Sequence, residues 1–232
     1  MSRARFVDLE RAEPAETVVV VDVLRAFTTV AWMLARGAER ILTVPSRDQA
    51  RRIRDEQLPQ ALLAGEQGGV PVPDFDLGNS PSDLVDRDLT GTTIVLRTSA
   101  GTLGLDRCAG SGLLLAASFP VAGATSAELR RAAPGEITYV ITGASLGRDG
   151  DEDLACAEFV HARLDDPDVG PEPYLARVAT SDAGRAFGPT GPAWAPPADL
   201  ELACEVDRFP GALHATPAAD VEAIEITPRR RR

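Results

Sequence analysis

Apolar residues gather along this chain in short unbroken runs, separated by stretches whose apolar positions recur at helical spacing. The strongest run is Val18-Val19-Val20-Val21. Four β-branched residues without polar alternation predict a strand buried on both faces, the habit of a central strand in a parallel sheet. Similar runs predict strands at 40–44, 61–64, 92–96, 113–117 and 137–141. Between them lie helical stretches. Residues 26–36 carry Ala26, Val30, Met33 and Leu34 on one face and stop at Gly37, a natural C-terminal cap. Ser46 with Gln49 fits a capping box that opens a helix to about residue 57, Ala50 and Ile53 facing inward. Further helices are expected at 101–107, 122–132 and 151–164. Strand and helix alternate throughout, which predicts an α/β fold: three layers, α/β/α, on a mainly parallel sheet that is mixed at its edge.

Two regions break this rhythm. Residues 65–81 hold too many Gly and Pro for regular structure, and a loop of that length inside a compact domain tends to be functional or disordered; Phe75 and Leu77 favour an anchored one. Ser80 as N-cap, Pro81 at the first helical position and Asp83 in the first turn then predict another helix. Beyond residue 165 the pattern weakens. Part of 174–187 reads as helix, 188–198 as a Pro-rich connection, and 221–226 alternates apolar and charged residues as an edge strand with one wet face would. The whole of 1–232 reads as a single domain, with 172–232 a less regular extension of it.

Composition narrows the chemistry. A formal charge of −11 argues against a nucleic-acid or anionic-membrane surface. The run Arg229 to Arg232 reads as a solvated tail without function. All 24 basic residues are Arg, which excludes a Schiff-base lysine, a P-loop lysine and a lysine general base. Cys108, Cys156 and Cys204 are dispersed and odd in number, as reduced core thiols would be. His161 falls on a helical face with Leu154, Ala157 and Leu164 and reads as a packing residue. No basic-then-apolar leader opens the chain and no apolar run approaches the ~18 residues of a membrane helix, so a soluble, cytoplasmic protein is expected.

The candidate chemistry collects just after the strands: Asp22 with Arg25; Gly65 and Glu66; Thr98, Ser99 and Gly101; Ser118; then Gly143, Ser145, Gly147 and the acidic run 149–153. Parallel strands would bring all these segments to one rim, where ligands of open α/β sheets bind. Asp22 stands out, because a carboxylate at the end of an apolar run is costly unless paired, hydrogen-bonded or holding a metal. Two readings of it stay open, a metal ligand or the cap of the helix that begins near Arg25. Carboxylates beside helix N-termini suit a Mg²⁺–phosphate pair; ordinary caps and turns have the same composition. The acidic run lacks the twelve-residue spacing of a calcium loop.

Val20-Val21-Asp22-Val23-Leu24-Arg25-Ala26, Gly65-Glu66, Phe75-Asp76-Leu77-Gly78-Asn79-Ser80-Pro81, Gly101-Thr102, Ser118-Phe119, and Gly143 with Gly147 and Glu152-Asp153 occur in an order that resembles the 2-phosphosulfolactate phosphatase family. The likeness covers about 17–165, and Asp199-Leu200, Cys204 and Asp207 extend it weakly. It implies a Mg²⁺-dependent phosphatase that hydrolyses 2-phosphosulfolactate to 3-sulfolactate, a step towards coenzyme M. The chain departs from the family pattern at Gln67, where Arg is usual, at Ala100, where Asn is usual, and at Phe119-Pro120-Val121 in place of Phe-Leu-Asn. Arg97 stands where a smaller hydroxylated residue is usual and offers a replacement charge.

Taken together, the residues and the resemblance give Asp22, Arg25 and Glu66 as catalytic and Asp22, Glu66 and Asp76 as metal-holding, with Glu152 and Asp153 as further carboxylates. Arg25, Asn79, Thr98, Ser99, Gly101, Thr102, Ser118, Glu152 and Asp153 would contact a small anionic phosphorylated substrate. A homo-oligomer stays open. Attack by water on the phosphorus is favoured over attack by Asp22, since one carboxylate can hardly be both principal ligand and nucleophile. An aspartyl-phosphate phosphatase of the haloacid dehalogenase type would need a second Asp where Leu24 stands. The remaining alternatives are a degenerate homologue that binds without turnover and a phosphatase for another phosphorylated 2-hydroxy acid.

Overall fold

The computed structural model describes residues 2–145 and 147–230. Ten strands form one sheet: β1 (Arg3–Asp8), β2 (Thr17–Val21), β3 (Arg40–Thr43), β4 (Leu62–Gln67), β5 (Val70–Pro71), β6 (Thr93–Arg97), β7 (Leu113–Ala117), β8 (Glu136–Ile141), β9 (Gly211–Pro217) and β10 (Ile224–Arg230). Seven helices accompany them: α1 (Ala26–Ala35), α2 (Arg47–Glu56), α3 (Gly101–Arg107), α4 (Ala122–Ala132), α5 (Asp151–Asp165), α6 (Glu172–Val178) and α7 (Pro197–Ala203). The sheet order is β1-β8-β2-β7-β9-β10-β3-β6-β4-β5.

Period-two alternation sorts the side chains into three layers. Val18 and Val20 of β2 join Ile41, Ile94 and Leu96 in a core under α1 and α3, a layer shared by both ends of the sheet. Val19 and Val21 point the other way, into a core with Phe159 and Val160 of α5 and Leu129 of α4. At the far end Leu42, Leu63 and Val95 pack on Ala50 and Ile53 of α2, whose start is capped as expected by the Ser46 hydroxyl accepting from Gln49 N–H at 3.2 Å. The result is the three-layer α/β/α architecture on a mainly parallel sheet. His161 packs edge-on to Tyr139, and the three cysteines are unpaired. No described helix is long and apolar enough to cross a membrane.

The strand directions differ from the expectation in a way that matters for the site. β1, β8, β2 and β7 run parallel, and so do β3, β6 and β4, but the β9–β10 hairpin between them pairs antiparallel at β7–β9, β9–β10 and β10–β3. Three reversals set the two groups in opposite directions along the sheet. A single parallel rim therefore does not exist. The ends of β2 and β4 nevertheless meet at one cavity, and sheet twist accounts for this: at roughly 20–25° per step, the six steps between them turn one strand through about 120–150°.

Other local expectations also change. Segment 221–226 is no edge: β10 lies between β9 and β3. Arg229 and Arg230 pair with Ala212 and Gly211 instead of forming a tail, while Arg231 and Arg232 lie outside the described residues. The helix expected from Ser80 shrinks to a single 3₁₀ turn, Ser82–Leu84. Ser80 does not cap it, because its hydroxyl donates to the buried Asp199 carboxylate at 2.8 Å.

Candidate active site

The polar ends of β2, β4 and β6 open on a cavity of about 580 Å³. Asp22, directly after β2, lines it and is buried. One of its oxygens accepts the Ala26 N–H at 2.9 Å, so Asp22 does cap α1. Only that oxygen is used there, and Gly101 crowds the other: a Cβ on that glycine would come within 2.7 Å of it. Burial pushes the Asp22 carboxyl up to about 6, repulsion from Glu66 adds to the rise, and the Ala26 hydrogen bond opposes it.

Glu66 also lines the cavity, but both its oxygens are committed. They accept Ser99 N–H at 2.6 Å, Gly69 N–H at 2.6 Å and the Ser99 hydroxyl at 3.1 Å. This carboxylate ties the β4–β5 hairpin to the turn after β6. Asp76 does not join it. It accepts Leu63 N–H at 2.8 Å, stands 3.8 Å from Arg54 and lies outside the cavity lining. Thr98 and Thr102 satisfy each other across the first turn of α3, each backbone N–H meeting the other's hydroxyl, and likewise stay out of the lining.

Two acids from α5 surround Asp22 from below. Asp153 accepts Val23 N–H and Gly143 N–H, each at 2.7 Å, and the Thr142 hydroxyl at 3.1 Å, so it fastens the ends of β2 and β8 together. Burial raises its pKa well above the carboxylate range, helped by Glu152 and Asp22. Glu152 is buried too, and its Oε2 has no hydrogen-bond partner among the described residues. Burial raises its pKa, and the negative Asp22 adds to the rise. Ser118 Oγ and Asn79 Oδ1 are further buried polar atoms without partners. Buried polar groups are almost always hydrogen-bonded. Of these three residues only Asn79 lines the cavity; Ser118 and Glu152 lie outside its lining.

Arg25 reaches the cavity but is held from all sides. Its Nη1 donates to the Asp199 carboxylate at 2.8 Å and to Trp194 C=O at 2.5 Å, its Nη2 donates to Gly69 C=O at 3.1 Å, and its guanidinium stacks over the Phe187 and Trp194 rings. The forked substrate grip expected of it is thus spent on the protein itself. It joins α1 to the C-terminal segment that roofs the cavity. Gly69 fits beneath that roof with φ +87°, and a Cβ there would approach the Trp194 ring to 2.6 Å. Replacing Gly69 by Ala should lower the melting temperature and displace Trp194, seen as a shift in tryptophan emission.

Sequence reasoning missed Arg148, Asp182, Phe187 and Trp194, all of which line the cavity. Arg148 had a signal, being the one cation in the acidic loop after β8. Phe187 and Trp194 had none: Phe187 ends a stretch read as partly helical and Trp194 lies in a Pro-rich connection, and neither pattern reveals what the segment covers.

Residues 6–187 match the family model described as 2-phosphosulpholactate phosphatase. The chain belongs to that family. A relative from Thermus thermophilus is 38% identical over 171 residues, covering 73% of this chain and 67% of its own length. One from Parasynechococcus marenigrum is 36% identical over 150 residues, 64% of this chain and 62% of the relative. One from Carboxydothermus hydrogenoformans is 45% identical over 111 residues, 48% and 45% of the two chains. Each is described as a probable 2-phosphosulfolactate phosphatase. The chain thus spans between about half and two thirds of the length of these relatives. The 2-phosphosulpholactate phosphatase match includes the strand ends and α5 but stops before Trp194 and Asp199, so the two residues that clamp Arg25 lie beyond it. Of the family departures, Gln67 and Ala100 line the cavity, whereas Val121 is buried in the core and lies outside that lining.

Proposed function

We propose that this chain is a phosphomonoester hydrolase that converts 2-phosphosulfolactate to 3-sulfolactate and phosphate, with Mg²⁺ bound at the Asp22 end of the cavity. Family membership supports the reaction class. The single observation that carries the siting is the buried Asp22 with its raised pKa beside the orphaned Glu152 oxygen. Such a pair is destabilised by its own charge and suits a hard cation, and Mg²⁺ needs only one or two carboxylates, the rest of its shell being water and phosphate. Among the described residues no three acidic, His or Cys side chains form a ready-made metal cage. Glu66 and Asp76, read from sequence as ligands, have other work in this arrangement.

Mg²⁺ bound there would polarise the phosphoryl oxygens and lower the pKa of attacking water. The protein's own residues supply the rest. Asp22 lines the cavity with Glu152 within charge range of it, Glu66 fixes Ser99 and Gly69 against the wall, and Arg148 brings a guanidinium to the same space without an ion pair among the described residues. The roof of Phe187 and Trp194 keeps bulk water from the ester.

The test is phosphate release from 2-phosphosulfolactate by the purified chain. Turnover should depend on Mg²⁺, vanish with EDTA and return when Mg²⁺ is added back. Saturable binding without phosphate release would instead show a degenerate homologue, an outcome for which Gln67 and Ala100 in the lining provide a cause.

A further inference from the structure

Charged residues are plentiful here, and acids outnumber bases 35 to 24. Most arginines accordingly find a carboxylate: Arg25, Arg40, Arg51, Arg163 and Arg177 each bond one at 3.0 Å or closer. Arg97 is different. It ends β6, is half-buried, lines the cavity and makes no ion pair among the described residues. Its contacts are carbonyls, Nη1–H to Glu66 C=O at 2.8 Å and a long one from Nε–H to Pro45 C=O at 3.5 Å. Nη2 has no acceptor among them.

The backbone of Arg97 is packed tightly against β4. Gly65, opposite Arg97 in the β4–β6 ladder, sits at φ +140°, and a Cβ on it would fall 1.8 Å from the Arg97 carbonyl. Only glycine allows the two strands to come so close. Taking a cation partly out of water is costly: burial pulls the Arg97 guanidinium below its ordinary range, and the charge of Arg47 adds to this while Glu66 only partly offsets it. An incoming anion would remove that cost.

A second cavity-lining guanidinium without an ion pair among the described residues, Arg148, comes from the loop after β8, in the other half of the sheet, and its one side-chain bond among those residues is a 3.5 Å contact to Ser145 Oγ. It belongs with Asp22 and Glu152, whose charges it offsets. Arg97 belongs with Glu66 and Gln67 at the β4 side of the cavity. Beside Arg25, which is paired with Asp199, the cavity therefore offers two cationic positions, one from each half of the sheet: Arg148 near Asp22 and Glu152, and Arg97 near Glu66.

We infer that Arg97 is the specificity-determining receptor for a second anionic group, a sulfonate or carboxylate, on a substrate whose phosphate lies at the Asp22 end. This rests on the phosphatase reading for the phosphate end alone. The test compares 2-phosphosulfolactate with isopropyl phosphate, which keeps the ester and lacks both acid groups. Arg97→Gln should reduce kcat/KM for 2-phosphosulfolactate about 10- to 100-fold, mostly through KM, in line with loss of a charge-assisted hydrogen bond. It should change isopropyl phosphate turnover by less than twofold. Equal losses on both substrates, or none on either, overturn the inference. Arg97→Met keeps the packed stem and gives the same comparison if the Gln variant does not fold.

Binding of 3-sulfolactate, followed by tryptophan fluorescence without turnover, separates the two claims. Binding weakened tenfold or more by the substitution, in a protein that releases no phosphate, removes the hydrolase reading and keeps the receptor. Hydrolysis with binding indifferent to Arg97 does the reverse.

Discussion

Asp22→Asn should abolish phosphate release and at the same time make the metal-free protein more stable. The wild-type carboxyl titrates near 6 rather than its ordinary 3.8. A carboxyl whose folded pKa is raised binds protons more tightly in the folded state, so its ionisation opposes folding. That opposition is absent below about pH 4, grows as pH rises towards 6 and is complete above it. At roughly 1.4 kcal/mol per pKa unit the burden is on the order of 3 kcal/mol at neutral pH. Asparagine keeps an oxygen for Ala26 N–H and carries no charge beside Glu66, Glu152 and Asp153. In EDTA at pH 7.5 the variant should melt several degrees above wild type, at about 2–4 °C per kcal/mol for a chain of this size, and the gap should close near pH 4. A variant equally active, or less stable at pH 7.5, would falsify the account of Asp22 as a strained functional acid.

The second large effect is expected at Asp199, outside the family-matched residues. Its side chain is fully buried and bonds Arg25 Nη1 at 2.8 Å, while its other oxygen accepts the Ser80 hydroxyl at 2.8 Å and Ser82 N–H at 3.0 Å. Arg25 is as deeply buried, at 4% side-chain exposure. Deleting one partner of such a pair strands the other charge in a dry site, at a cost of about 3–5 kcal/mol. Asp199→Ala should therefore lower the melting temperature by roughly 10 °C, since each kcal/mol shifts it by about 2–4 °C. The roof should loosen with it, raising KM more than it lowers kcat. Asp199→Asn, which keeps the acceptors of Ser80 and Ser82, should fall between. Less than 1 kcal/mol lost on Asp199→Ala would mean that Arg25 is not anchored as described.

The residue pattern disclosed much of this molecule because burial dictates it. α3 and α4 fall on the expected residues, and β7 does too, since each is fixed by an apolar stripe or run with nothing competing for it. Asp22 was legible for the same reason, as one charge at the tip of a run that has none. What stayed hidden depends on partners distant in sequence. Ser80 looks like a helix cap until Asp199, far along the chain, takes its hydroxyl. Arg25 looks like a substrate clamp until Trp194 and Asp199 occupy it. The alternation in 221–226 suggested a wet edge; the wet side is there, with Glu222 exposed, but β10 is interior to the sheet, and Arg40 crosses to meet Glu225 and Asp220. The reversal of strand direction was invisible because no local feature records which neighbour a strand will choose.

That reversal bears on how the chain acquires its shape. The hairpin that joins the two half-sheets comes last among the strands described, so all eight others leave the ribosome before the joint does. Until then β7 and β3 each present an open flank of unpaired backbone, the kind of surface that invites intermolecular pairing. Yield in the cell should consequently depend on chaperone supply during synthesis more than on the strength of the finished structure. Slowing translation at that point should cost soluble protein, whereas slowing it earlier should not.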